Sequence, residues 1–234
     1  MATAMRRPGT SVSAAEISAL EICSALEADA CAAIAAASQR VSVAAGGKII
    51  GQDEASFDVY FMLSGRVRVN MLAGSGRQVT YQILAPGQIF GELAAIDGKP
   101  RSAAVSAEDD ATLARVDDAT FLRLLDQYPL FALRIMRRLT SLSRWLAERV
   151  YEYHTYDVRG RICSELLRFA QAPTGEPIAL TDMDMASRVG TTRENVTRIY
   201  GVLRRRGLVI RTSNSIHVPD ARALREFLAE CEFG

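Results

Sequence analysis

Phe90-Gly91-Glu92-Leu93-Ala94-Ala95-Ile96-Asp97-Gly98-Lys99-Pro100-Arg101-Ser102-Ala103-Ala104-Val105 is the stretch on which the reading of this chain turns. It lies between strand-like runs, Val79–Leu84 before it and Thr112–Val116 after it. Gly91, Glu92, Leu93 and Ala94 open a short helical turn, and a helix start presents unpaired backbone N–H groups that suit an anion. Nine residues after Glu92 come Arg101 and Ser102, a fixed positive charge followed by a hydroxyl. Asp97-Gly98-Lys99-Pro100 supplies the turn chemistry that brings the two halves together. A guanidinium binds two oxygens of a phosphate at once, and the hydroxyl and backbone amides add donors. Glu92 would repel the phosphate but suits a neighbouring sugar hydroxyl. Ribose joined to phosphate is a nucleotide.

Outward from this stretch the texture from Val41 to Val116 is one of short β-rich runs with frequent turns. Val41–Val43, Tyr60–Leu63, Val67–Val69, Val79–Leu84 and Thr112–Val116 read as strands, with turns at Gly46-Gly47, Gly65, Gly74-Ser75-Gly76 and Pro86-Gly87. Strands at this spacing suggest a double-sheet jelly roll, in which Ile49, Val69 and Tyr81 either line a ligand pocket or pack the core. Upstream, residues 1–12 are expected to be disordered. Residues 14–38 read as one or two helices, with Ile17, Leu20, Ile22, Leu26 and Ile34 as apolar positions.

From Leu130 to about Tyr156 the pattern is helical, with Ile135, Leu139, Leu142, Leu146, Val150 and Tyr153 at spacings of three and four. So narrow a seam packs against a partner helix or lies on its own domain. Asp157 and Gly160 read as a hinge before a helix through Arg168-Phe169, and Gln171–Pro177 as a turn-rich boundary. Thr181 then caps a helix that Gly190 breaks, and a second helix starts at Thr191-Thr192-Arg193. Helix, Gly-containing turn, helix is the spacing of a helix-turn-helix, whose second helix presents its N-terminal residues to base edges. Arg193, Glu194 and Arg198 lie at that end. Arginine can bind guanine O6 and N7, and Glu can accept from a cytosine amino group. Thr192, Thr197, Arg204, Arg205, Arg206 and Arg211 are candidates for phosphate contacts. Gly207 ends the helix, a hairpin turning at Ser213-Asn214 into Ile216–Val218 forms a wing, and Asp220–Glu230 is a final helix.

Composition narrows the classes without choosing among them. The chain has 234 residues, 49% hydrophobic, with net charge +1, enough for one large or two modest domains with real cores. No apolar run approaches the ~20 residues of a bilayer span, and Arg6-Arg7 leads into Pro8-Gly9, so a cytoplasmic location without membrane contact is expected. Cys23, Cys31, Cys163 and Cys231 form no C-x-x-C pair, and the histidines are His154 and His217. Neither a metal, a haem nor an iron–sulfur cluster is expected, and no Ser/His/Asp or other nucleophile set points to an enzyme.

Two motifs carry a family resemblance. Gly91-Glu92-Leu93-Ala94 followed by Arg101-Ser102-Ala103 resembles the phosphate-binding cassette of cyclic-nucleotide-binding domains, G-E-L-A then R-[ST]-A. The resemblance implies Glu92 on the ribose 2′-hydroxyl and Arg101 and Ser102 on the cyclic phosphate. Arg193-Glu194-x-Val196-x-Arg198 resembles the recognition helix of the cyclic AMP receptor branch of the Crp/Fnr superfamily, implying a TGTGA-type half-site. The oxygen-sensing branch differs at the position of Arg193.

The family further implies an α+β chain in three parts. These are a jelly-roll domain over residues 14–129, a dimerisation helix over 130–156 and a winged helix-turn-helix over 157–234. It also implies a homodimer on a pseudo-palindromic DNA duplex, contact with RNA polymerase, and a nucleotide base that reaches the long helix. There the chain departs from the pattern: one register offers Leu146 and Ala147, the other Leu142 and Ser143, and neither restores the Thr-Ser pair that touches adenine. The expected ligand is therefore cAMP or cGMP. The alternative is the same fold acting constitutively or sensing another small molecule.

Overall fold

A computed structural model describes residues 11–72, 78–170, 180–212 and 215–232, the side chains of residue 72 and residues 78–81 excepted. The expected disorder of residues 1–12 falls almost wholly outside these residues. The turn at Gly74-Ser75-Gly76, the boundary at Gln171–Pro177 and the Ser213-Asn214 turn fall outside them too. The chain forms two compact units, Met1–Thr140 and Ser141–Gly234, divided within one long helix.

The first unit is a two-sheet structure with helices against one sheet. Strands β1 (Gln39–Val43), β3 (Val59–Ser64), β6 (Ile89–Phe90) and β8 (Ala111–Val116) form one sheet in the order β1-β8-β3-β6. Strands β2 (Lys48–Ile50), β4 (Val67–Leu72), β5 (Gln78–Leu84) and β7 (Ala104–Ala107) form the other, in the order β2-β7-β4-β5. All pairings are antiparallel. Alternation along β3 shows why the first sheet holds a continuous apolar run. Tyr60 and Met62 join Val41, Val67, Leu84, Phe90, Val105 and Leu113 in a core drawn from both sheets. Val59 and Phe61 point the other way, into a core with Ile17, Ile34, Phe121, Phe131 and Ile135 from the helices.

Those helices are α1 (Ala14–Ser18), α2 (Ala28–Ala37), α4 (Asp118–Gln127) and the start of α5 (Pro129–Thr155). Ser13 and Glu16 form a capping box on α1, and Glu16 also bonds Arg40 on β1 at 2.7 Å. Helix α4 has no counterpart in the sequence reading. Its Asp117 cap accepts from the Thr120 amide at 2.9 Å, and Phe121 and Leu124 are its buried residues.

The second unit holds the rest of α5, then α6 (Val158–Ala170), α7 (Asp182–Val189), α8 (Arg193–Arg205), the hairpin β9 (Ile210–Arg211) and β10 (Ile216–His217), and α9 (Ala221–Ala229). Ile162, Leu166, Met185, Val189, Val196, Ile199, Tyr200, Leu203, Ile216, Leu224 and Phe227 share its core. Thr181 and Asp184 make the cap of α7, and Gly190 ends that helix at φ 67°.

The hinge expected at Asp157 and Gly160 is divided differently. The helical break falls at Tyr156-Asp157, and Asp157 Oδ1 accepts the Gly160 amide at 3.0 Å, starting α6. Gly160 lies inside α6, buried, because a Cβ there would sit 2.7 Å from Tyr156 Cβ and 3.0 Å from Cys231 Cβ. Among the described residues no helix is long and apolar enough to cross a membrane. Nor does any group of three or more His, Cys, Asp or Glu among them stand ready for a metal.

Candidate functional site

The cassette begins where β6 delivers the chain to Gly91. This residue adopts φ +87°, and a Cβ there would lie 2.6 Å from the Asp58 carbonyl and 2.9 Å from Arg101 Nη1. Only glycine meets both conditions. Helix α3 (Glu92–Asp97) follows and is closed by Gly98 in the left-handed region. Arg101 is fastened by its own backbone: its amide donates to Glu54 O at 3.1 Å, and its carbonyl accepts from Asp53 N at 2.9 Å.

The Arg101 side chain points inward and the residue is only 3% exposed. Nε donates to Ser56 Oγ at 3.0 Å, Nη1 to Gly91 O at 2.9 Å and Nη2 to Asp58 O at 2.8 Å. All of these acceptors are neutral. Burial consequently pulls the Arg101 pKa below its ordinary value, against the opposing fields of Tyr60, Asp58, Glu54 and Glu92. Three of the five guanidinium N–H donors are used, leaving two for an anion.

Glu92 is the second buried charge, at 4% exposed. Burial raises its pKa above the usual carboxylate range, opposed first by Arg138. Arg138 Nε stands 3.8 Å from Glu92 Oε1 while its Nη2 donates to Ile89 O at 2.8 Å. A buried cation without a carboxylate partner among the described residues and a buried, weakly paired carboxylate fit the phosphate and the hydroxyl of a ribose phosphate.

Of the other expected site residues in this unit, Ser102 and Leu93 are exposed and Ala94 is buried. Val69 is half-buried against the inter-sheet core; Tyr81 lies on β5 with its side chain outside the described residues. Ser143 and Leu146 are exposed on the part of α5 that belongs to the second unit. The sequence reading missed Ser56, the Asp58 carbonyl and Arg138. A carbonyl leaves no signature in a side-chain pattern, and Arg138 reads as one more charge on the polar face of a helix.

The helix-turn-helix presents a second charged surface. Val196, Ile199, Tyr200 and Leu203 bury one side of α8; Glu194 and Arg198, four apart, lie opposite it, and Arg193, Thr197 and Arg204 are exposed at its flanks. Thr192 caps the helix, its hydroxyl accepting from the Asn195 amide at 3.3 Å. The Glu194 carboxyl is held below its ordinary pKa by its own backbone amide and the Thr192 hydroxyl, so it is an ionised acceptor.

Thr197, expected to be available to phosphate, places its hydroxyl on Asp182 Oδ2 at 2.6 Å. Arg211 also meets Asp182, and Arg206 pairs with Glu230 at 2.9 Å. Arg204 and Arg205 are exposed at the end of α8.

Comparison with known proteins gives these two surfaces a common setting. The cyclic nucleotide-binding domain family matches residues 40–128, and the Crp-like helix-turn-helix domain family matches residues 160–227. The cyclic AMP receptor protein of Thermus thermophilus is 28% identical over 184 residues, covering 77% of this chain and 84% of that protein. A CRP-like cAMP-activated global transcriptional regulator of Mycobacterium tuberculosis is 26% identical over 206 residues, 85% of this chain and 92% of that one. Among solved structures, a CooA mutant from Carboxydothermus hydrogenoformans superposes with a TM-score of 0.73 at 23% identity, covering 82% of this chain and 88% of that one. A cyclic nucleotide-binding domain match in the two-sheet unit and a Crp-like helix-turn-helix match in the second unit thus place this chain in the Crp/Fnr superfamily of DNA-binding transcription regulators.

Proposed function

We propose that this regulator is switched by a cyclic nucleotide, cAMP or cGMP, held by Gly91, Glu92, Leu93, Ala94, Arg101 and Ser102. The observation that carries the reading is the Arg101 guanidinium, 3% exposed and bonded to neutral oxygens alone among the described residues. A phosphodiester would supply the missing negative charge, with Ser102 as a further donor. Glu92 would accept from the ribose hydroxyl. The T. thermophilus and M. tuberculosis relatives, whose names specify cyclic AMP, favour cAMP.

The base would reach α5, where Ser143 and Leu146 are the residues to examine, with Val69 and Tyr81 towards the sheet. Two chains would pair through α5, whose Leu146, Val150 and Tyr153 are 39%, 58% and 45% exposed. Arg193, Glu194 and Arg198 would read a TGTGA-type half-site, with Thr192 and Arg204 on phosphates and Thr197 beside them. Such a dimer suits half-sites about one helical turn apart. Ligand would act by favouring the arrangement competent for DNA. Contact with RNA polymerase belongs to the same reading.

The test is titration calorimetry of cAMP against wild type and Arg101→Gln, with melting curves for both. Arg101→Gln keeps a donor for the Ser56 and carbonyl partners but loses the charge, and most affinity should go with it. Unchanged affinity in a folded variant would contradict the assignment.

A further inference from the structure

Asp182 opens α7, yet its carboxylate is engaged by two other elements. Oδ2 accepts the Thr197 hydroxyl of α8 at 2.6 Å, and Arg211 of the wing reaches it with Nη1 at 3.3 Å. Arg211 Nη2 stands 2.7 Å from Oδ1. Above this pair the Arg211 guanidinium lies over the Tyr200 ring, 5.2 Å from its centroid. Asp182 is 8% exposed, whereas the Arg211 side chain keeps 34% of its surface. The wing arginine is thus bound by a nearly buried carboxylate, whereas Arg193, Arg204 and Arg205 on α8 are exposed.

We infer that Asp182 is a positioning residue for DNA recognition: it holds Arg211 off the sugar-phosphate backbone and fixes the wing to both helices of the helix-turn-helix. This rests on the DNA-binding reading above. Moving Arg211 to a phosphate would leave a nearly buried carboxylate with only a hydroxyl for a partner, and an unpaired buried charge is costly. The pair therefore withholds one cation from the sequence-independent part of binding. Phosphate contacts raise affinity for every duplex alike, so withholding one lowers binding to bulk DNA. Thr197 is withdrawn by the same carboxylate, because its single hydroxyl proton cannot serve Asp182 and a phosphate together.

The experiment measures binding of the full-length chain to a random-sequence duplex over a series of salt concentrations. Wild type, Asp182→Asn, Arg211→Gln and the double variant are compared, each with a melting curve. Asp182→Asn should bind the duplex more tightly and steepen the slope of log K against log salt by about 0.9, the increment for one added phosphate contact on B-DNA. Arg211→Gln should leave the wild-type slope unchanged, and in the double variant the steeper slope should return to it.

A slope unaltered by Asp182→Asn, or made shallower by Arg211→Gln alone, would overturn the inference. So would a double variant that keeps the steeper slope, since loss of any nearby negative charge would then explain it. A wild-type chain with no affinity for the duplex would instead remove the DNA-binding reading, and this inference with it.

Discussion

Glu92 and Arg101 are charges that the fold keeps out of water without neutralising them fully. A carboxylate whose folded pKa is raised favours the folded state most at low pH and loses that contribution as pH rises through the folded value. Glu92→Gln should therefore raise the melting temperature of the unliganded protein at neutral pH. The same change should weaken cyclic nucleotide by about 1.5–3 kcal/mol, as expected for a lost hydrogen bond to a charged group. Melting curves and calorimetry on one preparation check both halves; lower stability together with unchanged affinity would count against the site. On α8, Glu194→Ala should relax discrimination at one base pair by about 1–3 kcal/mol, while Arg204→Ala should weaken all duplexes alike. Selection of binding sites from a random pool separates the two, and an unaltered base preference in the Glu194 variant would contradict the readout.

At the scale of elements, short connections decide where these residues stand. Gly190 carries the helix-turn-helix turn at φ +67°, and a Cβ there would meet the Tyr153 hydroxyl. Gly190→Ala should cost about 1–2 kcal/mol for the left-handed backbone alone, visible in denaturant unfolding. Helix α1 is tied to β1 by Arg40, whose hydrogen bond to Glu16 is the largest influence holding that carboxyl down at about 2. A depressed carboxylate contributes stability above the ordinary value of 4.5 and loses it as pH falls towards about 2. Amide exchange in residues 14–18 should thus rise over that window, and Arg40→Ala should move the rise to higher pH.

The elements that the sequence announced were those with their own chemistry. The Thr181 cap, the Gly190 break and the apolar strand at Tyr60–Leu63 could all be read from neighbouring residues. The two-residue β6 could not, nor could α4, whose short apolar pattern is easily lost between a strand and a long helix. The surroundings of Arg101 were hidden for another reason, because two of its partners are backbone carbonyls placed by tertiary folding.

For the whole molecule, the second unit has a charged cluster of its own. Burial pushes Glu165 up, but Arg149, Arg188 and Arg168 hold it below its ordinary value, Arg149 Nη2 at 2.5 Å, Arg168 Nη1 at 2.8 Å and Arg188 Nη1 at 3.2 Å. Arg149, Arg168 and Ser164 also meet Glu152, so α5, α6 and α7 share one ionic knot. Glu165→Ala should destabilise this unit by about 3–5 kcal/mol, the penalty for breaking a buried pair from one side. Val150→Glu, on the exposed apolar side of α5, should instead leave folding intact and shift sedimentation from dimer to monomer. A variant that still sediments as a dimer would move the pairing surface elsewhere. Switching by a cyclic nucleotide depends on its phosphate completing the charge of Arg101. Its most direct measurement is calorimetric titration of the full-length wild-type chain with cAMP and, separately, with cGMP. Saturable heat with at least one of them, accompanied by a higher melting temperature, is the predicted result; a folded chain that gives neither with either nucleotide would contradict it.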